Sequence, residues 1–444
     1  MMNHNSSEAP LSPAPGPVGK FDIQLNEASF PVIRDCLREY PDICRLAAKS
    51  RAADTYLVNH PDAVKRVLID NHKNYIKGVG FERVKLLLGN GIIVSDGEFW
   101  KQQRRMVQPA FHRDMLQGLT GMIQKVSQSL LRDWEQAADA RQTVNVSEVM
   151  STFGLEVVLR ALFSDDLDRI IEENGGNPFA IFTDNTSRDM NLAVKFRALT
   201  KLMLAVVARR REQASGEANA TGEPDMLDAM LAARDLQGRP MGDKALIDEL
   251  MTLIVAGHET SAVTLTWMWH LLGEYPGVEE RLHREVDAAS YEISPAFTDL
   301  SQLGYARQVM SETLRVYPPV WLFSRRALQD DVLGNYRIPA QSDLFISPYF
   351  LHRREDQWPD PERFDPDRFT DEAVNRRHRA AYIPFSAGPR KCIGDMLSMV
   401  EMQIHFGTIA RKLRLRPVPG QSIELEPAIN LRCKTSIIMM PEYR

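Results

Sequence analysis

Phe385-Ser386-Ala387-Gly388-Pro389-Arg390-Lys391-Cys392-Ile393-Gly394 decides how this chain is read. The pattern is Phe-x-x-Gly-x-Arg-x-Cys-x-Gly, five fixed residues over ten positions. Turn-forming residues surround one cysteine, and an amphipathic segment starts at once from Met396. Gly388 and Gly394 permit backbone conformations and close approaches that a side chain blocks. A cysteine at the end of such a loop, just before a helix, is expected near amide donors and a positive dipole end, both of which favour the thiolate. With nothing bulky beside it, a lone thiolate suits an axial ligand to a flat macrocycle. The competing reading is a Gly-Pro turn with an incidental buried cysteine.

Bulk composition narrows the field without naming a chemistry. The 444 residues are enough for one large core or two to three ordinary domains. Fifty-four Lys and Arg against 59 Asp and Glu give a net charge of −5, so nothing points to nucleic acid. Cys36, Cys44, Cys392 and Cys433 form no Cys-x-x-Cys pair, which argues against a zinc ribbon, a redox dithiol or a disulfide scaffold. No apolar run approaches the roughly 18 residues of a membrane span. Residues 1–20 are rich in Ser, Pro, Ala and Gly and lack a basic-flanked apolar stretch. They read as a disordered tail and not a secretion signal, and the protein is expected to be cytoplasmic.

Further along, Thr55-Tyr56-Leu57-Val58 reads as a strand, followed by a helix from Asp62 to about Asp70. Residues 74–98 form an irregular stretch. Its Gly78-Val79-Gly80 has no third glycine and is expected to have no strand before it, so it is not a dinucleotide fingerprint. Trp100 and Arg104 stand four apart, on one face of a helix. Residues 113–213 carry helical periodicity with a polar interruption over 165–177, and residues 214–225 read as a flexible surface loop. A long helix is expected from about Asp243 to Tyr275, where Pro276 ends it. Along it Leu253, Ala256, Gly257, Thr260 and Thr264 share a small, partly hydroxylic stripe, from which His258 points away. Such a stripe leaves a groove, and its Gly-Thr chemistry can open a carbonyl bond and kink the helix; close helix packing is the plainer alternative. Glu312 and Arg315 face the same way at i, i+3, a pairing usually exposed and worth little. After the cysteine loop a helix is expected from Asp395 to about Leu413, and residues 421–440 alternate like a hairpin with its tip at Pro427 to Leu431.

Four of these motifs, in this order, resemble those of the cytochromes P450: Trp100-x-x-x-Arg104, Ala256-Gly257-x-Glu259-Thr260, Glu312-x-x-Arg315 and the cysteine loop. The resemblance runs from about residue 21 to the end. It implies a mainly α fold, a single domain over 21–444 with a large helical part and a smaller β-rich part. A haem b would lie buried between the long central helix and the cysteine loop. Cys392 would be the axial ligand of the iron. Trp100, Arg104, Arg390 and Arg325 would hold the propionates, with Arg326 competing for the last place. Ala256, Gly257, Phe385 and Gly394 would lie against the cofactor. Thr260 would be the hydroxyl at the oxygen site and Glu259 would help relay protons. Glu312 and Arg315 would join a second arginine, Arg368 or else Arg363, in a structural network. Gln341 stands where relatives often have glycine, which puts that turn in question. By position Phe81, Val255, Val320, Trp321, Leu322, Phe323 and Ile429 are pocket candidates, each readable equally as plain core.

The reaction so implied inserts one oxygen atom of O2 into an apolar small molecule of lipid, terpenoid or polyketide type, by hydroxylation or epoxidation. No flavin, nicotinamide or iron–sulfur motif occurs in the sequence, so electrons from NAD(P)H are expected through separate proteins, a ferredoxin with its reductase or a flavodoxin-type donor. Lys101, Arg105, Arg376, Arg377, Arg379 and Lys391 offer such a partner a basic face, or are solvated charges without a partner. The chain is expected to be a monomer. Two other classes stand beside this reading: a peroxide-driven or isomerising haem-thiolate enzyme, and a non-catalytic haem-binding protein.

Overall fold

The computed structural model describes residues 12–183, 192–215 and 224–444. The fold is mainly helical, with small sheets. Its axis is the helix Asp243–Glu274. Apolar residues occupy every face of this helix, and a helix of that kind is stable only when surrounded. Accordingly Leu246, Leu250, Ile254, Leu265, Met268 and Leu272 are all buried. Pro276 does end the helix, and it does so by serving as the first residue of the next one, Pro276–Ala288. The helix Val146–Phe163 packs along the central helix, while Asp395–Ile409 packs against the helix Arg113–Asp139.

Five short strands make the largest sheet, in the order Ile43–Leu46, Thr55–Val58, Asp343–Ile346, Phe323–Ala327, Tyr75–Lys77. Only the Thr55–Val58 and Asp343–Ile346 pair is parallel. A strand therefore does precede Gly78, contrary to the sequence reading; its partner lies some 250 residues away, where local pattern cannot see it. The turn at Gln341 keeps the geometry a glycine would favour, with φ of 66°. Residues 12–20, read as part of a tail, pack on the protein: Ser12 bridges to Tyr336, Ala14 is buried, and the Arg45 amide donates to the Pro15 carbonyl at 2.7 Å. Residues 1–11 of that tail lie outside the described residues. So does most of the loop read over 214–225, whose far end, Asp225, caps the helix Met226–Ala232.

The polar interruption over 165–177 contains a helix after all, Asp166–Glu173, because Leu167 and Ile170 reach the core while Arg160 pairs with Asp168. The terminal hairpin pairs Leu425–Pro427 with Leu431–Cys433, as its alternation suggested. No helix among the described residues is long and apolar enough to cross a membrane.

Glu312 and Arg315, a spacing normally found on surfaces, have no solvent exposure. Arg315 Nε donates to Glu312 Oε2 at 2.7 Å and its Nη2 to Oε1 at 2.8 Å. The remaining guanidinium hydrogens go to the carbonyls of His352, Pro361 and Arg363 at 2.7–3.1 Å. Glu312 also accepts the Asp365 amide at 2.8 Å and stands 3.4 Å from Arg368 Nε. Arg368 thus takes the place of the second arginine, and Arg363 contributes only its backbone. Burial raises the Glu312 carboxyl above its ordinary value, against the pull of Arg315. Deleting one partner of a buried pair strands the other charge. Arg315→Ala is accordingly expected to cost about 3–5 kcal/mol of stability, and Arg315→Lys to recover only part of it because an ammonium cannot fork; chemical unfolding of the three proteins checks this.

Candidate active site

The cysteine loop is closed by the Cys392 amide donating to the Phe385 carbonyl at 2.9 Å. At Gly388 φ is +69°, and a Cβ there would sit 2.0 Å from the Leu68 carbonyl oxygen, so the loop lies directly on the stretch Arg66–Asp70 and only glycine fits. Gly394 is not constrained in that way: its φ is −92°, and a Cβ would meet Phe111 at an ordinary 3.5 Å. Cys392 lines a cavity of about 320 Å³ together with Phe385, Arg390 and Gly394. Burial pushes the Cys392 thiol above its ordinary value. The Gly394 amide, Arg104 and Lys391 work the other way, so the expected stabilisation of the thiolate is present but outweighed by desolvation.

Across the cavity stands the central helix, presenting Leu253, Ala256, Gly257, Thr260, Ser261 and Thr264. The helix is continuous here. Thr260 Oγ1 donates to the Ala256 carbonyl at 2.7 Å, and Thr264 Oγ1 to the Thr260 carbonyl at 2.8 Å. The expected opening of the helix at Gly257 is thus replaced by hydroxyls bonded back to carbonyls one turn earlier. Glu259 does not share the cavity. It lines a separate, more polar one of about 410 Å³ with His258, Glu426 and Arg432. His258 is buried there, 3.0 Å from Ser151 Oγ, and burial lowers it to about 4.

At one end the cavity carries cations. Arg325 and Arg390 line it, and burial lowers both to about 10. Arg326, the other candidate, does not line the cavity and forks onto Asp343 at 3.0–3.1 Å. Arg390 is held by the Ser95 carbonyl at 2.7 Å, by the Asp96 carboxylate, and by the Trp100 ring 3.9 Å beneath it. Trp100 therefore touches the cavity through Arg390, and half-buried Arg104 stands near the charge of Cys392 without lining the cavity. The sequence reading missed Lys77. It lines the cavity, pairs in register with Arg325 across the sheet, and is held well below its ordinary value by burial and by Arg325 and Arg390. Its only signal in the sequence is a lysine in a strand that the sequence reading did not recognise.

Apolar residues make up most of the remaining wall, among them Phe81, Ile93, Phe111, Val157, Val158, Leu162, Met226, Val320 and Phe323. Four expected pocket residues are elsewhere. Trp321 and Leu322 are core, because the chain between Val320 and Phe323 turns them inward; Trp321 Nε1 ties down the hairpin through the Ala428 carbonyl at 2.8 Å. Ile429 sits exposed at the hairpin tip, and Val255 does not reach the cavity. Glu401, also unforeseen, lines the cavity from the helix Asp395–Ile409. Its Oε2 accepts from Ser261 Oγ at 3.1 Å, its Oε1 has no partner, and burial raises it to about 8.

Comparison with known proteins agrees with this geometry. The family profile described as Cytochrome P450 matches residues 10–439. Cyclooctatin synthase of Streptomyces melanosporofaciens is 37% identical over 408 residues, 88% of this chain and 86% of that one. Cyclooctat-9-en-7-ol 5-monooxygenase of the same organism is 35% identical over 382 residues, 83% and 82% of the two chains. Among solved structures, the cytochrome P450DA heme domain superposes with a TM-score of 0.85 at 24% identity, covering 98% of each chain. The chain belongs to the cytochrome P450 family. That family implies a haem with a cysteine thiolate ligand, and the residues fit one. No group of three or more His, Cys, Asp or Glu side chains is placed to hold a metal ion among the described residues, so a metal at Cys392 would draw its other donors from a non-protein group. Lys77 and Arg325, like charges directly opposite on paired strands, destabilise one another unless an anion lies between them.

Glu401 makes a pH signature. The unfolded chain ionises this carboxyl above about 4.5 while the folded chain keeps its proton up to about 8, so its contribution to stability falls as pH rises through that window. Glu401→Gln is expected to gain in unfolding midpoint relative to wild type between pH 5 and pH 8; thermal melts of both proteins at the two pH values check the sign.

Proposed function

We propose that this cytochrome P450 monooxygenase inserts one oxygen atom of O2 into a terpenoid or similarly apolar hydrocarbon skeleton, with electrons from a separate ferredoxin-type partner. One observation carries the reading: the cations of the cavity gather at its Lys77–Arg325–Arg390 end, and the wall from Phe81 to Leu162 offers a substrate only apolar surface. A molecule without charge is what such a wall selects. The relative named for cyclooctat-9-en-7-ol, a terpenoid alcohol, supports the same class.

In this proposal Cys392 would ligate the haem iron, and Lys77, Arg325 and Arg390 would hold the propionates, with Trp100 bracing Arg390 and Arg104 adding positive charge nearby. The bound haem supplies dioxygen activation, for which a thiolate ligand favours O–O cleavage. The chain supplies position and protons. Thr260 holds a hydroxyl proton at the cavity face, donated to the Ala256 carbonyl, and would have to release that bond to give it to a guest. Ala256 and Gly257 keep the wall beside it low enough for a small guest. Glu259, one position before Thr260, lines the neighbouring polar cavity within electrostatic reach of Arg432. Protons would reach Thr260 from that side.

The partner's docking face is narrower than the sequence suggested. Lys101, Arg376 and Lys391 are paired with Glu98, Glu372 and Asp395. Arg377 lies over Trp358 and donates to the Arg368 carbonyl. Arg105 and Arg379 are exposed and have no ion-pair partner among the described residues, and they would carry the steering.

Cys392→Ser is expected to abolish the red-shifted Soret band of the reduced, CO-bound protein; an unchanged band would remove Cys392 as ligand. The substrate class is tested with a panel of cyclic terpene hydrocarbons, fatty acids and polyketide lactones. Terpenes should shift the resting haem spectrum and, with a ferredoxin system under 18O2, yield singly labelled alcohols. Shifts by the other classes alone would reject the assignment.

A further inference from the structure

Between Leu88 and the helix Gly97–Val107, the segment 89–96 crosses from the central helix to the cysteine loop and puts Ile93 into the cavity on the way. Its first half lies hard against the central helix. The Asn90 amide donates to Asp248 Oδ2 and the Ile92 amide to Glu249 Oε2, both at 2.9 Å. The approach is so close that a Cβ on Gly89 would stand 2.0 Å from Asp248 Oδ1, and one on Gly91 would stand 2.2 Å from Thr252 Oγ1. Gly91 in turn accepts the Val94 and Ser95 amides at 3.1 and 3.0 Å, making the turn that aims Ile93. The second half is fastened by Arg390 to the Ser95 carbonyl and Asp96, and by the Lys77 amide to Asp96 Oδ2 at 3.1 Å.

We propose that Glu249 is a positioning residue that clasps segment 89–96 to the central helix, fixes Ile93 as a wall of the cavity, and thereby sets which apolar molecules fit. Glu249 suits this task and no other visible one. It has no exposure, its Oε2 is committed to the Ile92 amide, and its Oε1 has no partner. Among the described residues no arginine or lysine pairs with it, and burial raises it to about 8, which favours an uncharged acceptor at neutral pH, wedged between two elements. Asp248, its neighbour, is shared between the segment and Lys244 and is the more exposed member. The inference rests on the reading that this cavity takes an apolar substrate.

The test uses the haem-loaded protein and two measurements. Backbone hydrogen exchange over residues 85–96 reads the clasp. The spectral affinities for imidazole and 1-octylimidazole, one short probe and one long, read the wall. Glu249→Ala should speed exchange in that segment selectively and lower the preference for the long probe by about three- to tenfold, the worth of one buried hydrogen bond. Glu249→Gln, which keeps an acceptor and no charge, should stay near wild type in both. Gly91→Ala, which pushes the segment off the helix without touching the carboxyl, should reproduce the alanine effect and serves alone if Glu249→Ala does not fold. Unchanged exchange over 85–96, acceleration spread evenly through the chain, or an unaltered ratio of the two affinities would each overturn the proposal. Neither readout depends on which substrate is oxidised, so failure of the terpenoid reading leaves both standing.

Discussion

The fold hangs on one buried ion pair. Glu312 and Arg315 have no exposure, and Arg315 spends its hydrogens on three carbonyls from two separate stretches of chain. One of them belongs to His352, whose Nε2 accepts the Ile383 amide at 2.9 Å. Ile383 begins the cysteine loop by accepting the Ser386 amide at 3.0 Å. A chain of directed bonds therefore leads from the helix Gly304–Val316 to the base of the thiol-bearing loop. Burying a charge pair is favourable only when every donor and acceptor is met. That requirement gives the loop a defined position, where apolar packing alone would leave it several.

A second constraint is electrostatic and unresolved within the protein chain. Arg325, Arg390 and Lys77 line one cavity; Arg390 lowers the proton affinity of Arg325, and both arginines lower that of Lys77. Asp96 is the anion that PROTEIN chemistry sets against them, and Arg390 and the Lys77 amide already occupy it. The site is thus assembled for anionic groups from outside the chain, such as the carboxylates of a porphyrin. Much of the remaining lining is aliphatic or aromatic, from elements distant in sequence, and two of its rings, Phe81 and Phe323, lie beneath Lys77 and Arg325.

Much of this was legible in the sequence where the chemistry is local. The cysteine loop, both ends of the central helix and the Glu312–Arg315 spacing each depend on residues within a few turns of one another, and turn, cap and helix rules act at that range. What escaped depends on distant pairings. Lys77 becomes a site residue because its strand pairs with Phe323–Ala327. Glu401 faces the cavity because the helix that follows the cysteine crosses near Ser261. Val157 and Val158 line it because the helix Val146–Phe163 packs along the central helix. Trp321 and Val320, adjacent in sequence, part company because a loop has no periodicity from which to read its faces. The same limit applied to Glu259: its type was recognised, but which side of the helix meets which neighbour was not.

That last detail has a use. Successive residues on a helix point about 100° apart, and the step from Glu259 to Thr260 carries the chain from the polar chamber to the apolar one. The long helix is a partition between the two, turning Ala256, Gly257 and Thr260 to one chamber and His258 and Glu259 to the other. Compartments divided in this way can be redesigned separately. An engineer who widens the oily room at Val158 or Leu253 leaves the charges next door undisturbed, so breadth of accepted guests and supply of protons become independent variables in directed evolution.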